Sequence, residues 1–308
     1  MRHFLFVVSL LIASVFCQAQ NSWHEKMIDS LGKVEFYLIA QLHNNQANTI
    51  IEKELLFSLN KKYGLQYDIL EYGHSVAFLV NQYLVTGQDS LLKFIDPKAS
   101  FQFIRAVKAY NDSLTHQKKI RFYGLDFENR LQGRFIKKTM TIILKQSNLP
   151  AKENLFTFLQ DIIVSDPGNL AMNLKRLRNY LSQHEQDSRT LLGDYFTDVL
   201  LIANAQYDFT PDRDDAMLEN FKRLHKELTK NGERPLFFAS FGTGHVNLRN
   251  SNGIAMKLLE DEDSPVKNSV AVTGTHYFNC LFTKQAVKNH PMAAWTFYVR
   301  KQFPKPCL

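Results

Sequence analysis

Five short apolar runs, each rich in β-branched and aromatic residues, recur along the 308-residue chain. Runs that are apolar almost throughout are typical of strands covered on both faces, because neither side of such a strand meets water. Helical patterns separate the runs, and this alternation predicts an α/β fold with a mostly parallel central sheet flanked by helices. The runs are VEFYLIAQ (34–41), QYDILEY (66–72), IRFYGLD (120–126), PLFFASF (235–241) and SVAVTG (269–274).

The clearest helical pattern covers residues 46–63. Ile51, Leu55 and Leu59 follow one another at intervals of four residues, so they share one face of a helix. Gly64 comes directly after the pattern, and a glycine in that position is a common signal for the end of a helix.

A long helical interval separates the third run from the fourth. Residues 132–210 contain no strand-like run and include patterns such as RFIKKTMTIILKQ and TLLGDYFTDVLLIANAQ. We therefore expect a helical insertion or cap at about 132–210. Pro211 is a good first residue for the next helix, predicted over 211–230, whose apolar stripe includes Met217 and Phe221.

The first residues predict a targeting segment. Arg2 precedes the apolar stretch FLFVVSLLIASVF, and Cys17 and Ala19 suit the −3 and −1 positions of a signal peptidase site. We expect residues 1–19 to be a signal peptide and residues 20–308 to form one domain. The protein should then be exported to the periplasm or secreted, without stable membrane insertion after cleavage, because no later segment is long and apolar enough to span a bilayer.

Charge and cysteine content limit the partners that the sequence predicts. Losing Arg2 lowers the formal net charge from +7 to +6, and the remaining basic residues are dispersed, so no nucleic-acid partner is predicted. A small-molecule ligand or substrate is expected instead, and the sequence carries no signal for an oligomeric state. Cys280 and Cys307 would remain after cleavage, and a disulfide and two free thiols are equally open.

Ionisable side chains recur where the apolar runs end. His43, Glu71, Asp126, His245 and His276 lie at or just after the ends of the five runs. Ligands of open parallel sheets bind in the crevice at the carboxyl ends of the strands. If all five strands run parallel, these side chains meet at one edge of the sheet and form a pocket there.

Arg213 adds a cation to this group. It lies four residues before Met217 and eight before Phe221, on the core-facing stripe of its helix. We expect it to point past that stripe to the sheet edge, where it can pair with Glu71 or Asp126 or bind a substrate oxyanion.

These residue types suit proton transfer. A histidine accepts a proton near neutral pH, and a neighbouring carboxylate sets its tautomer and stabilises the imidazolium. Simpler explanations stand beside this one: a satisfied loop histidine at 74 or 276, a structural Glu71–Arg213 ion pair, and a capping role for Asp126. The catalytic candidates are His43, Glu71, His245 and Arg213, and the substrate-binding candidates are Asp126, Asp214, His276 and His74.

No cofactor and no metal ligand set is predicted. Three histidines with carboxylates could bind zinc, but no HxxxH or HExxH spacing occurs, and Cys spacing of the metal type is absent. Metal-free general-base chemistry is favoured over a metal site.

Several of these segments are similar to one family. The stretches IAQLH, DILEYG, FYGLD, RDDAMLEN and GTGH resemble motifs of the erythromycin esterase-like proteins, and the resemblance covers roughly residues 34–275. It implies an α/β core with a helical part and His43 as the general base for attack of water on an ester. It also implies that Glu71, Arg213 and His245 lie in the pocket.

Two motif positions depart from the family. A Gly-Glu-x-x-His pattern is replaced here by Ile39 and Ala40 before His43, and Gly242 stands where the late turn has its first histidine. Three functions therefore stay open: a hydrolase of an ester-type small molecule, a catalytically impaired protein that binds a small ligand such as haem or a glycan-derived molecule, and a metal-dependent hydrolase using His43, Glu71 and His245.

Overall fold

The computed structural model of the protein describes residues 23–43, 45, 47–93, 98–128, 133–205, 212–275 and 298–301. The expected signal peptide, Pro211, His276, Cys280 and Cys307 lie outside these ranges, so those predictions stay predictions. Within the described ranges, no helix combines the length and apolar character needed to cross a bilayer.

A six-stranded sheet forms the centre of the molecule. The strands are β1 (Phe36–Gln41), β2 (Tyr67–Gly73), β3 (Arg121–Asp126), β4 (Phe237–Gly242), β5 (Val270–Gly274) and β6 (Tyr298–Lys301). Their order is β3-β2-β4-β1-β5-β6; the first five are parallel, and β6 pairs with β5 antiparallel. The predicted mostly parallel sheet is confirmed, and each of the five apolar runs forms a strand. The short edge strand β6 was not predicted.

Helices flank the sheet and fill the interval between β3 and β4. They are α1 (Trp23–Leu31), α2 (Ala47–Tyr63), α3 (His74–Thr86), α4 (Lys98–Asp112), α5 (Gly133–Gln146), α6 (Asn154–Val164), α7 (Leu170–Gln183), α8 (Glu185–Leu192), α9 (Phe196–Asn204), α10 (Arg213–Leu228), α11 (Thr243–Val246) and α12 (Ile254–Glu260). Helix α2 ends before Gly64 as predicted, and the φ of +74° at Gly64 is the left-handed conformation that glycine adopts readily.

Both faces of the sheet are buried. Alternate residues of β1 enter two separate apolar clusters, with Tyr37 and Ile39 on one face and Phe36, Leu38 and Ala40 on the other. The first cluster includes residues from α1 to α9, and the second includes residues from α10 and α12. This double burial explains why the strand sequences are apolar almost throughout.

The strand order places four strand ends side by side. Strand β4 lies between β2 and β1. The chain leaves β1 in one direction along the sheet, toward β2, and leaves β4 in the opposite direction, toward β5, and ligands of open parallel sheets bind at such a point. In register, Gln41 at the end of β1 faces Gly242 at the end of β4. Strand β2 is irregular between Leu70 and Gly73, and such an irregularity redirects the side chains it contains.

Candidate functional site

The guanidinium of Arg213 lies at the centre of a cluster of polar side chains. Its Nε is 3.1 Å from Asp126 Oδ1 and its Nη2 is 2.7 Å from Asp126 Oδ2, which makes a bidentate ion pair. Nη2 also donates to Glu71 Oε1 at 3.0 Å, and Nη1 lies 2.9 Å from His245 Nε2. The cation therefore joins side chains from β2, β3, α11 and the first turn of α10.

The local sequence explains why Arg213 reaches this point. Helix α10 begins at Arg213 itself, two residues after the predicted start, because Asp212 caps it by accepting from the N–H groups of Asp214 and Asp215. Further along the helix, Asn220 Nδ2 donates to the carbonyl of Leu125 at 2.7 Å. These bonds hold the first turn of α10 against the carboxyl end of β3.

His245 is bound on both ring nitrogens. Its Nδ1 lies 2.7 Å from Asp214 Oδ1, which also accepts the N–H of Ile254 at 3.0 Å. Arg213 can only donate, so His245 Nε2 accepts from it and the Nδ1–H donates to Asp214. The hydrogen bond to Asp214 is the main cause that raises the pKa of His245, against burial and against the charge of Arg213, which lower it.

Glu71 connects this cluster to the last strand end. The side chain is only 9% exposed, and its Oε2 accepts the backbone N–H of Gly242 at 2.7 Å. Its Oε1, already bound to Arg213, lies 3.4 Å from His245 Nε2 and 4.0 Å from His43 Nε2. Glu71 is thus held from two sides and faces both histidines.

His43 is the most accessible of these groups, with 61% of its side chain exposed. Its imidazole lies against Gly242: a Cβ added there would be 2.6 Å from His43 Nε2, closer than real Cβ contacts. The φ of Gly242 is −52°, which any L-residue can adopt, so the space and not the backbone conformation requires glycine. In this chain the His43 imidazole takes the space beside Gly242.

A cavity of about 520 Å³ opens beside these residues. His43, Glu71 and Arg213 line it, whereas Asp126 and His245, which contact Arg213, and Asp214, which contacts His245, lie outside the lining. A volume of this order suits a small organic ligand. The apolar part of the lining comes from α3, α4 and the neighbouring strands and includes Val76, Val80, Phe103, Ile104 and Phe238.

Two further carboxyl groups line the same cavity, and the sequence analysis did not single them out. Burial raises the pKa of Glu52 to about 7, with Ser240 acting in the opposite direction. Burial also raises the pKa of Asp68 well above its usual range, and the nearby Glu52 adds to the rise. The sequence signal was Asp68 itself, an acidic residue in the middle of an otherwise apolar run.

The structure does not bring His74 to the cavity lining. Its side chain is fully buried at the start of α3, where Nε2 lies 2.8 Å from Asp198 Oδ1. Its Nδ1 accepts the N–H of Gly124 at 3.3 Å. Of the eight predicted site residues, six lie together, and His276 is outside the described ranges.

No group of three or more His, Cys, Asp or Glu side chains in the described ranges is arranged to hold a metal ion. The metal ligands that the sequence suggested are His43, Glu71 and His245. Arg213 donates to both Glu71 and His245, so its positive charge stands where a metal ion would need their lone pairs.

Comparisons with known proteins show similarity of structure only. No known family matches the sequence, and no curated protein matches it. A mutant of the erythromycin esterase EreC in its open conformation is 12% identical, with a TM-score of 0.53 over 90% of this chain and 78% of that one. The two chains therefore share the α/β fold as distant structural relatives.

Two other solved structures are less similar. A Bacillus cereus protein is 17% identical with a TM-score of 0.47; the match covers 72% of this chain but only 60% of that one. ChaN of Campylobacter jejuni, solved with cofacial haem, is 13% identical with a TM-score of 0.33, covering 83% of this chain and 86% of that one. Geometry shared at this level supports no inference about ligand or activity.

Proposed function

We propose that this chain is an exported hydrolase that cleaves an ester-type small molecule, with His43 as the general base. The observation that carries the proposal is the position of His43, an accessible imidazole at a cavity and 4.0 Å from the fixed carboxylate of Glu71. The fold shared with an erythromycin esterase is compatible with it but does not specify a reaction.

The proposed reaction begins with a water molecule at His43. The neutral imidazole takes a proton from the water while the water oxygen bonds to the carbonyl carbon, and the carbonyl electron pair moves onto its oxygen. When this oxyanion reforms the carbonyl, the bond to the alcohol oxygen breaks and the imidazolium returns its proton to the leaving alkoxide. Glu71 stabilises the imidazolium between these two proton transfers.

Arg213 is the group proposed to stabilise the oxyanion, because it lines the cavity. A guanidinium has five N–H donors, and the described residues Asp126, Glu71 and His245 accept four of them. One N–H on Nη1 is left for a ligand oxygen. In this proposal His245 stabilises the oxyanion through Arg213, whose orientation it holds, rather than by direct contact.

A panel of small esters tests the reaction. We expect the mature protein to hydrolyse at least one, and the His43→Ala variant to lose about 100-fold to 10,000-fold of that turnover. His116→Asn is the matched control, since His116 is exposed in a short 3-10 turn at His116–Lys118. Full activity in His43→Ala would overturn the assignment of the base.

A binding protein without turnover is the second candidate. Ala40 and Gly242 lack the carboxylate and imidazole of the similar family, and most donors of Arg213 are already taken by the protein. Tight retention of a small ligand, with no hydrolysis of any ester in the panel, would establish this function instead. Activity lost on chelation and restored by added zinc would support the metal-dependent alternative.

Export is proposed from the N-terminal residues alone. N-terminal sequencing of the protein recovered outside the cytoplasm should begin at Gln20 or Asn21. Recovery only from the cytoplasm with Met1 still present would contradict export.

A further inference from the structure

Glu52 and Asp68 lie deeper in the cavity than the groups assigned to the reaction. Asp68 precedes Glu71 by three residues on β2, which places it about 10 Å further from the carboxyl edge of the sheet. Glu52 projects from α2 and lines the same cavity. The proposed reaction uses neither carboxyl group.

Neither group has a cationic partner among the described residues. Burial raises the pKa of Glu52, and a hydrogen bond with Ser240 lowers it. Burial and the charge of Glu52 raise the pKa of Asp68, and the N–H of Ile69 lowers it. Asp68 is 3% exposed, and a buried carboxylate without a counter-ion is strongly disfavoured. Burial therefore favours the neutral, protonated form of both carboxyl groups.

A second observation points to a ligand in the same cavity. Asn45 is 3% exposed and lines the cavity, and its Nδ2 donor has no hydrogen-bond partner among the residues that the structure describes. Its Oδ1 is used, since it accepts the N–H of Ala47 at 3.0 Å. An unpaired buried donor next to a cavity is expected to bind an acceptor that a ligand supplies.

The rest of the lining sets the shape of that ligand. Val76, Val80, Phe103 and Ile104 give one apolar wall between the two polar ends of the cavity. A ligand that suits this lining has an apolar body, a carbonyl oxygen as acceptor and a positive charge at its far end.

We propose that the cavity selects ligands that carry a basic amine, and that Glu52 and Asp68 bind the ammonium group while the carbonyl end faces Asn45, His43 and Arg213. The inference rests on the proposed function only in taking this cavity as the ligand site, and it names the substrate class. The amine replaces a proton: one carboxylic acid releases its proton to solvent, and the resulting carboxylate pairs with the ammonium.

Proton release predicts how the affinity for the amine depends on pH. With the pKa of Glu52 raised to about 7, amine binding becomes tighter as the pH rises toward 7 and then levels off. The other titratable or charged groups that line the cavity are His43, Asp68, Glu71, Tyr72 and Arg213. Because His43 and Glu71 line the cavity too, the test must show that the preference comes from Glu52.

Two amide probes that differ only in the charge of the terminal group, together with a Glu52 variant, provide that test. The probes are phenylacetamides whose nitrogen carries a four-carbon chain ending in a dimethylamino group or, as the isosteric control, in an isopropyl group. Calorimetry at about pH 8 should show the amine binding about tenfold more tightly than its isostere. At about pH 6 its binding should release up to one proton, measured from buffers of different ionisation enthalpy.

The Glu52→Gln variant should remove most of the preference for the amine and the proton release, while binding of the isostere changes less than about twofold. Glu54→Gln, on the same helix but outside the lining, is the matched control. Equal affinity for both probes, binding of neither, or a preference that survives in Glu52→Gln would overturn the proposal.

The amide probes keep the two proposals separate. An amine preference that persists in His43→Ala, together with no ester turnover by the native protein, would support the amine site and reject the hydrolase. Ester turnover without a preference for the amine would support the hydrolase and reject the amine site.

Discussion

His74–Asp198 and His245–Asp214 are two histidine–aspartate pairs of nearly equal length, 2.8 Å and 2.7 Å. They differ in what faces the second ring nitrogen. At His74 it is the backbone N–H of Gly124, and at His245 it is the guanidinium of Arg213. The backbone amide completes a buried structural contact, whereas Arg213 connects His245 to a cavity. The second partner, more than the aspartate, decides what such a pair can do.

Of the variants that test this comparison, Arg213→Met should have the largest effect on stability and turnover. It leaves Glu71 and Asp126 as neighbouring carboxylates without their shared cation, and we expect about 3 kcal/mol of lost stability and about a 100-fold loss of turnover. Denaturant unfolding and ester kinetics measure the two quantities. A variant with native stability would show that the cluster does not depend on this cation.

His74→Leu should mainly affect folding. It leaves the buried Asp198 carboxylate and the Gly124 N–H unpaired, which should cost about 2 kcal/mol. Turnover by the folded fraction should change less than about threefold, because His74 does not line the cavity. His245→Leu is the matched change, and we expect the opposite balance from it. Similar results at both positions would remove the distinction between the pairs.

Gly242→Ala tests whether the position of His43 is set by the space beside it. The added methyl group displaces the imidazole, so turnover should fall about tenfold with little change in stability. Gly244→Ala provides the control, since nothing lies within 4 Å of a Cβ at that position. Equal activity of the two variants would contradict a positioning role for Gly242.

The smallest expected effect is a pH dependence of stability that belongs to His245. Because its folded-state pKa is raised, its contribution is fully present below the ordinary histidine pKa and is lost as the pH rises through the folded value. The group is partly exposed, so the change should be below about 1 kcal/mol. Unfolding free energies of the native protein and His245→Gln should converge at high pH, and the difference between the two proteins cancels the contribution of Glu52.

The strands were predictable from the sequence because double burial leaves a continuous apolar signature. The meeting of Glu71, Asp126 and His245 was also predictable in outline, since parallel strands bring their carboxyl ends to one edge. The particular contacts of Arg213 depend on the strand order and on the irregularity in β2, and neither is a property of local sequence.

Other features were missed for physical reasons that particular residues make clear. Glu52 falls in helix α2, and only the tertiary structure shows that it lines the same cavity as Asp68. His74 follows β2 as the other candidates follow their strands, but its side chain turns into the core. Edge strand β6 is four residues long, too short for a reliable periodic pattern.

The separation in sequence between the contacting residues has a consequence for how the site is made. Glu71 bonds to a backbone amide 171 residues later and to a guanidinium 142 residues later. Contacts between such distant segments form slowly, because the intervening chain must first be ordered. Ligand binding by a refolding chain should therefore appear only with the final kinetic phase, and a nascent chain that has not yet emerged beyond β4 should have no binding capacity.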